Sequence, residues 1–301
     1  MEVTSDVRRL GLIAGNGPLP LQVLREAGRR GIPVTVAAIL EETDTAVEEE
    51  ARRSESPVSI HWMGVGQLGR LLKAFKSEGV DKGLMVGQVR HVRIFAPGSR
   101  SPLDHLKQLP DLRMIRLLAS LRRKNTGSLI EAVIGVLEEE GIELIDSTLF
   151  LRDLLAVEGL MTRRAPTRDE ELDFAYGRGI AREIARLDLG QSIVVKEQAV
   201  VAVEAMEGTD ETIRRASRLV GGEPLTVIKV SRPNQDMRYD VPVVGPRTLE
   251  VCESCRVTAL ALDAGRTLMI DKPEFLARAD ALQMSVVGFG EQEQKAGRTW
   301  E

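Results

Sequence analysis

The sequence predicts a two-domain α/β protein: an N-terminal Rossmann-like domain on a parallel sheet, then a mixed α/β domain. Three observations lead there. A chain of 301 residues suits two domains of ordinary size. Short, fully apolar runs alternate with helical periods in the N-terminal part, as parallel strands buried on both faces require. Further on, hairpin-spaced strands appear among the helices, which marks a mixed sheet.

Taken in order, Leu10-Gly11-Leu12-Ile13-Ala14 reads as a buried strand and Gly15-Asn16-Gly17-Pro18 as a turn. Residues 19–30 form a helix with Leu21, Leu24 and Ala27 on its apolar side, and arginines close it before Gly31. A second strand spans 33–39. The unit recurs as strand 59–62, helix 68–77 and strand 83–86. Helical patterning fills 111–140, broken near Asn125-Thr126-Gly127. Glu138-Glu139-Glu140-Gly141 stops it before a new strand at 142–145. The domain boundary is therefore placed after residue 140, giving domains 1–140 and 141–290 and a polar tail 291–301.

In the second domain, strands 192–195 and 199–203 flank Lys196-Glu197-Gln198 as a hairpin. Alternation puts Ala202 and Glu204 on one face of it, Val201 and Val203 on the other. Helix 209–219, strand 225–230, helix 248–253, strands 258–262 and 267–270, helix 273–282 and strand 285–287 follow.

Composition narrows the function. Hydrophobic residues at 43% and charged residues at 29% describe a soluble globular chain, and 3% aromatics leave the core to Val, Leu, Ile and Ala. Forty-one basic against 45 acidic side chains give −4, so nucleic acid is not an expected partner. No apolar run approaches the ~18 residues of a membrane span. The opening residues are too acidic and polar for a secretory signal, and with two cysteines the expected compartment is cytoplasmic.

Four stretches carry candidate chemistry. Gly15-Asn16-Gly17 after a first strand suits phosphate contact at a helix N-terminus, but Pro20 stands where the dinucleotide motif has its third glycine. A tight turn explains it equally well. Cys252-Glu253-Ser254-Cys255 lacks partners for zinc, since His61, His91 and His105 are remote in sequence, and reads as two buried thiols. The loop after Lys229 gathers Arg232, Asn234, Gln235, Asp236, Arg238 and Asp240, able to hold phosphate oxygens or a hard cation, or to pair among themselves in solvent. Glu204 leaves an apolar strand within reach of Gly208-Thr209-Asp210, where Asp210 also suits a helix start.

Together these stretches resemble the UDP-2,3-diacylglucosamine pyrophosphatase family of lipid A synthesis, of the LpxI type. The likeness runs through Gly15-Asn16-Gly17-Pro18-Leu19-Pro20, Leu187-Asp188-Leu189-Gly190-Gln191-Ser192, the run 199–210 and the run 235–245. It implies two α/β domains holding the lipid nucleotide between them. It also implies Mg²⁺-dependent attack of water on the α-phosphorus, giving UMP and 2,3-diacylglucosamine 1-phosphate. A homodimer and transient contact with the inner-membrane surface, where the lipid-linked UDP-sugar and its product partition, follow from the same resemblance. The family's essential aspartate maps to Asp240, in Arg238-Tyr239-Asp240-Val241-Pro242. Asp240 would bind Mg²⁺ or orient the attacking water, Asp236 is a weaker metal candidate, and Glu204 and Asp210 would complete the metal site or hold the glucosamine hydroxyls. Lys229, Arg232 and Arg238 are phosphate candidates, and Gly15, Asn16, Gly17, Gln191, Thr209 and Gln235 complete the substrate set. No Gly-Lys dipeptide occurs, which excludes a P-loop. The rivals are a nicotinamide-dependent oxidoreductase using Gly15 to Gly17 with Glu41 or Glu42, and a nucleotide-sugar-binding protein without turnover.

Overall fold

In the computed structural model, which describes residues 7–89, 109–121 and 126–290, the chain divides into two units, Met1–Leu151 and Arg152–Glu301. The expected tail 291–301, His91, His105 and Asn125 lie outside the described residues.

In the first unit, β1 (Leu10–Ala14), β2 (Val34–Ile39), β3 (Val58–Met63), β4 (Lys82–Val86) and β5 (Glu143–Leu144) make a parallel sheet in the order β3-β2-β1-β4-β5. Every residue of β1 and β2 is buried, as their unbroken apolar runs require. Helix α1 (Leu19–Arg29) buries Leu19, Val23, Leu24 and Ala27, and α3 (Leu68–Ser77) buries Leu68, Leu71, Leu72 and Phe75. Those spacings put each apolar set on one helical stripe. Between them lies α2 (Ala46–Arg53). The helical stretch 111–140 resolves into α4 (Leu112–Ser120) and α5 (Thr126–Glu139). Asp111 starts α4 by accepting from Met114 N at 2.9 Å.

One strand changes owner. Residues 142–145 are expected to open the second domain, yet β5 pairs with β4, Lys82 opposite Glu143 and Gly83 opposite Leu144. It completes the first sheet, and the second unit starts at Arg152. Which sheet a strand joins is decided by its hydrogen-bonding neighbour, which its own residues do not encode.

The second unit has a six-stranded mixed sheet and a small two-stranded one. Its strands are β6 (Gly159–Leu160), β7 (Ser192–Lys196), β8 (Ala199–Val203), β9 (Leu225–Lys229), β10 (Val243–Val244), β11 (Val257–Asp263), β12 (Leu268–Met269) and β13 (Ser285–Phe289). The large sheet runs β6-β13-β11-β9-β7-β8, parallel from β13 to β9 and antiparallel at both edges, while β10 pairs with β12. Helix α6 (Arg168–Arg186) packs Phe174, Ala181 and Ala185 against Ile193, Val195, Ile228 and Val230. The opposite face carries α7 (Thr209–Leu219), α8 (Pro246–Ser254) and α9 (Lys272–Ala281), whose Ile213, Leu249 and Phe275 pack with Val194, Val227 and Leu260. Each fully buried side chain of this size contributes about 1.5–3 kcal/mol.

Helix α6 is absent from the sequence reading although it is 19 residues long. Part of its apolar stripe is Gly177, Ala181 and Ala185, too small to give a strong period. Its start does carry a signal, a capping box of Thr167 and Glu170. The hairpin forms as expected, turning through Glu197 and Gln198 at φ 49° and 59°. Its simple alternation does not hold. Val194 faces Ala202 and Val195 faces Val200, so Val201 bulges and packs on the same side as Ala202, away from Val203.

Cys252 and Cys255 are buried free thiols on and just after α8, and burial pushes the Cys252 thiol up to about 12. Among the described residues no helix is long and apolar enough to cross a membrane.

Candidate active site

In the first unit the sheet order reverses at β1, which places the ends of β1 and β4 at the switch point where open α/β sheets take ligands. Gly15-Asn16-Gly17 sits there. Asn16 N donates to Gln88 O at 2.8 Å, and Gln88 N returns a bond to Asn16 O at 3.0 Å. A Cβ on Gly15 would lie 2.7 Å from the carbonyl carbon of Gly87. Gly15 is therefore required for two backbone segments to close on each other, and the Asn16 N–H is spent on that closure. Glu42 is buried in the loop after β2, whose Thr43 hydroxyl donates to Ala14 O at 2.5 Å.

The larger cluster belongs to the second unit. Antiparallel pairing sets Ser192, at the start of β7, opposite Lys229, at the end of β9. Lys229 is 8% exposed. Its Nζ donates to Thr209 Oγ1 at 2.8 Å and approaches Ser192 Oγ at 3.5 Å. Thr209, the first residue of α7, donates in turn to Glu204 Oε1 at 3.0 Å, and Gln191 N donates to Glu204 Oε2 at 3.1 Å. A hydroxyl has one proton, so with Thr209 donating to Glu204 its contact with Ser192 at 3.1 Å is one it accepts. Burial lowers the Lys229 pKa, and the charges of Glu204, Asp210 and Asp240 work against that shift.

Beyond β9 the loop folds around Arg232. Its Nε lies 2.8 Å from Asp188 Oδ1, and its Nη1 bonds Asp240 Oδ2. With its amide oxygen turned towards Arg232, Gln191 accepts from Nη1 at 2.9 Å and donates to Val230 O at 3.2 Å. Gln235 accepts from Arg232 N at 2.8 Å and donates to the Asp240 carbonyl, so both ends of its amide brace the loop. Burial raises the Asp240 carboxyl above its ordinary range, opposed by Arg232 and reinforced by Asp188.

The fold thus gathers Lys229, Thr209, Glu204, Gln191, Arg232, Gln235 and Asp240. Asp236 and Arg238 instead pair with each other at 2.8 Å, and that hydrogen bond holds the Asp236 carboxyl down. Asp210 pairs with Arg247 at 3.0 Å while still acting on Lys229. Two members escape sequence reasoning. Ser192 enters through strand register alone. Asp188 sits at φ 58° in Leu187-Asp188-Leu189-Gly190, a local turn whose distant partner is Arg232.

Among the described residues no group of three or more His, Cys, Asp or Glu is placed to hold a metal ion by itself. What is present suits Mg²⁺ differently. Magnesium commonly takes one or two carboxylates and completes its shell with water and substrate phosphates. Asp240, with a side chain 44% exposed, and its neighbour Asp188 are hard oxygen donors of that kind.

Compared with known proteins, residues 9–154 match the LpxI N-terminal domain family and residues 157–287 the LpxI C-terminal domain family. Over 297 residues the chain is 30% identical to the UDP-2,3-diacylglucosamine pyrophosphatase LpxI of Caulobacter vibrioides, a match spanning 95% of this chain and 99% of that protein.

Proposed function

The chain belongs to the LpxI family, and we propose that it is a hydrolase of lipid A synthesis that cleaves the pyrophosphate of UDP-2,3-diacylglucosamine. Water attacks the α-phosphorus, the bond to the bridging oxygen breaks, and that oxygen departs with the β-phosphoryl group. The products are UMP, carrying the new oxygen, and 2,3-diacylglucosamine 1-phosphate. The observation that carries this reading is the convergence of buried Lys229 with the Asp188–Arg232–Asp240 group at the exit of β9.

Pyrophosphate cleavage needs charge neutralised on the phosphoryl oxygens and a proton acceptor beside the attacking water. Arg232 suits the first task, because a guanidinium grips phosphate oxygens as readily as carboxylates. An arriving pyrophosphate competes with Asp240 for Arg232. The Asp240 carboxylate, already raised in pKa by burial, is then freed to take the proton from water. Lys229 adds a fixed positive charge, with its ammonium steadied by Thr209. Asp240 and Asp188 are the carboxylates that would hold Mg²⁺, which would supply further neutralisation of the phosphoryl oxygens. Gly15, Asn16 and Gly17 are the first unit's candidates for the uridine or its phosphates. A homodimer, a cytoplasmic location and, because the substrate carries two acyl chains, transient contact with the inner-membrane surface belong to the same reading.

The test is hydrolysis of UDP-2,3-diacylglucosamine by the purified protein in ¹⁸O-labelled water, with Mg²⁺ or EDTA, beside Asp240→Ala. Labelled UMP that depends on magnesium and disappears in the variant is the expected result. Label in the lipid phosphate would move the attack to the β-phosphorus, and tight binding without turnover would make the chain a nucleotide-sugar-binding protein.

A further inference from the structure

Asp263 ends β11 and is 4% exposed. Leu262, just before it, lies opposite Lys229 across the β11–β9 pair. The Asp263 carboxylate therefore stands beside the first residues past β9. Its Oδ2 accepts from Ser231 N at 2.8 Å, and its Oδ1 lies 3.7 Å from Arg182 Nη2 on α6. One turn earlier on α6, Arg178 sets its guanidinium over the Phe289 ring at 3.7 Å. Ala259 and Ala261, the same-face neighbours of Asp263, pack in the α6 core. The carboxylate thus reaches the loop from the sheet face opposite the helix that bears Thr209.

Burying this ion pair costs desolvation, and a pair of apolar side chains of similar size commonly replaces such a pair at no loss of stability. What the carboxylate supplies and an apolar pair does not is a fixed acceptor for one backbone amide. That amide belongs to Ser231, and the next residue is Arg232. Gln235 ties Arg232 N to the Asp240 carbonyl. A displacement at Ser231 is therefore passed to both groups rather than absorbed by the loop.

We propose that Asp263, held by Arg182, is a positioning residue: it fixes the exit of β9 so that Arg232 and Asp240 stand in register for the reaction. The proposal rests on the reading that this pair performs the hydrolysis. Asp263 itself touches neither substrate nor water in it.

The experiment combines amide exchange with kinetics. In the wild-type protein, residue-resolved hydrogen exchange should find the Ser231 amide about tenfold or more slower than that of Asn234 in the same loop. An unprotected Ser231 amide overturns the proposal without any variant. Asp263→Asn keeps an acceptor in place, and Asp263→Ser withdraws it. The serine variant should lose about tenfold or more in kcat with KM changed less than about threefold, and the asparagine variant should stay within about threefold of wild type. Glu170→Gln weakens another buried ion pair of this unit, that with Arg164 at 2.9 Å, and serves as the stability control. If it lowers kcat as much as Asp263→Ser at equal loss of Tm, or if the serine variant keeps its kcat, Asp263 is structural only. A wild-type protein that hydrolyses nothing would sink the proposed function, whereas the exchange rates would still report whether Asp263 holds the loop.

Discussion

Lys229 and Glu204 do not touch; Thr209 joins them, accepting from the Lys229 ammonium at 2.8 Å and donating to the Glu204 carboxylate at 3.0 Å. An interposed hydroxyl keeps both charges solvated by protein without collapsing them into a direct pair. The ammonium thereby keeps donor capacity for an anion, since three N–H bonds serve only two hydroxyl partners.

Removing that hydroxyl should be costly for its size. Thr209→Val is nearly isosteric, yet it strips Lys229 of its shortest hydrogen bond and Glu204 of one of two. A loss of about 1–3 kcal/mol in urea unfolding is expected, with Thr209→Ser recovering most of it. Equal stability of the valine and serine variants would mean the bridge carries no weight.

The buried lysine gives a pH signature with a definite sign. Its pKa is lowered by burial from 10.5, so between the lowered folded value and 10.5 the unfolded chain binds more protons than the folded chain. Wild-type stability then gains with rising pH through that window relative to Lys229→Met. Melting both proteins at neutral pH and near pH 10 checks this (about three pH steps apart). A difference in Tm that shrinks or stays flat would contradict it.

For Asp240 the expectation is catalytic. Asp240→Asn should lower kcat by about 10²–10⁴-fold, the usual worth of a positioned general base. Because burial raises this carboxyl above 3.8, the acid limb of kcat/KM should lie above that value. Measuring UMP release across the acid range tests both statements. An acid limb at or below the ordinary aspartate range would remove Asp240 as the base.

Backbone proximity gives a purely steric prediction. A Cβ on Gly190 would be driven into the carbonyl oxygen of Glu204, and one on Gly15 would meet the Gly87 carbonyl carbon at 2.7 Å. Neither neighbour is a flexible side-chain end. Each Gly→Ala change should cost about 1–3 kcal/mol by overpacking, read from denaturant midpoints. Gly190→Ala should also impair hydrolysis, since it displaces the residue that bears the Glu204 carboxylate.

The two cysteines should be silent in the native state. With Cys252 buried and its thiol pushed up to about 12, a colourimetric thiol reagent should titrate neither Cys252 nor Cys255 until the chain unfolds. Rapid reaction of native protein would show that α8 opens readily.

The residues by themselves determined the class and the strands other than the two-residue β6 and β10. Unbroken apolar runs such as Leu10-Gly11-Leu12-Ile13-Ala14 are tolerable only where both faces of a strand are covered, and the hairpin around Glu197-Gln198 announces an antiparallel edge. The 199–210 and 235–245 strings likewise suffice to mark the family. The tertiary structure decided what local pattern does not encode. Strand pairing gave β5 to the first sheet and set Ser192 against Lys229. A bulge moved Val201 to the other face, and small residues hid α6 until its packing against β7 and β9 defined it. The site followed the same rule. Asp188, Gln191, Glu204, Thr209, Lys229, Arg232 and Asp240 are scattered along the chain, and their chemistry depends on contacts of a few ångströms. Periodicity specifies which side of an element is buried, whereas hydrogen-bond register specifies which distant residue is met there.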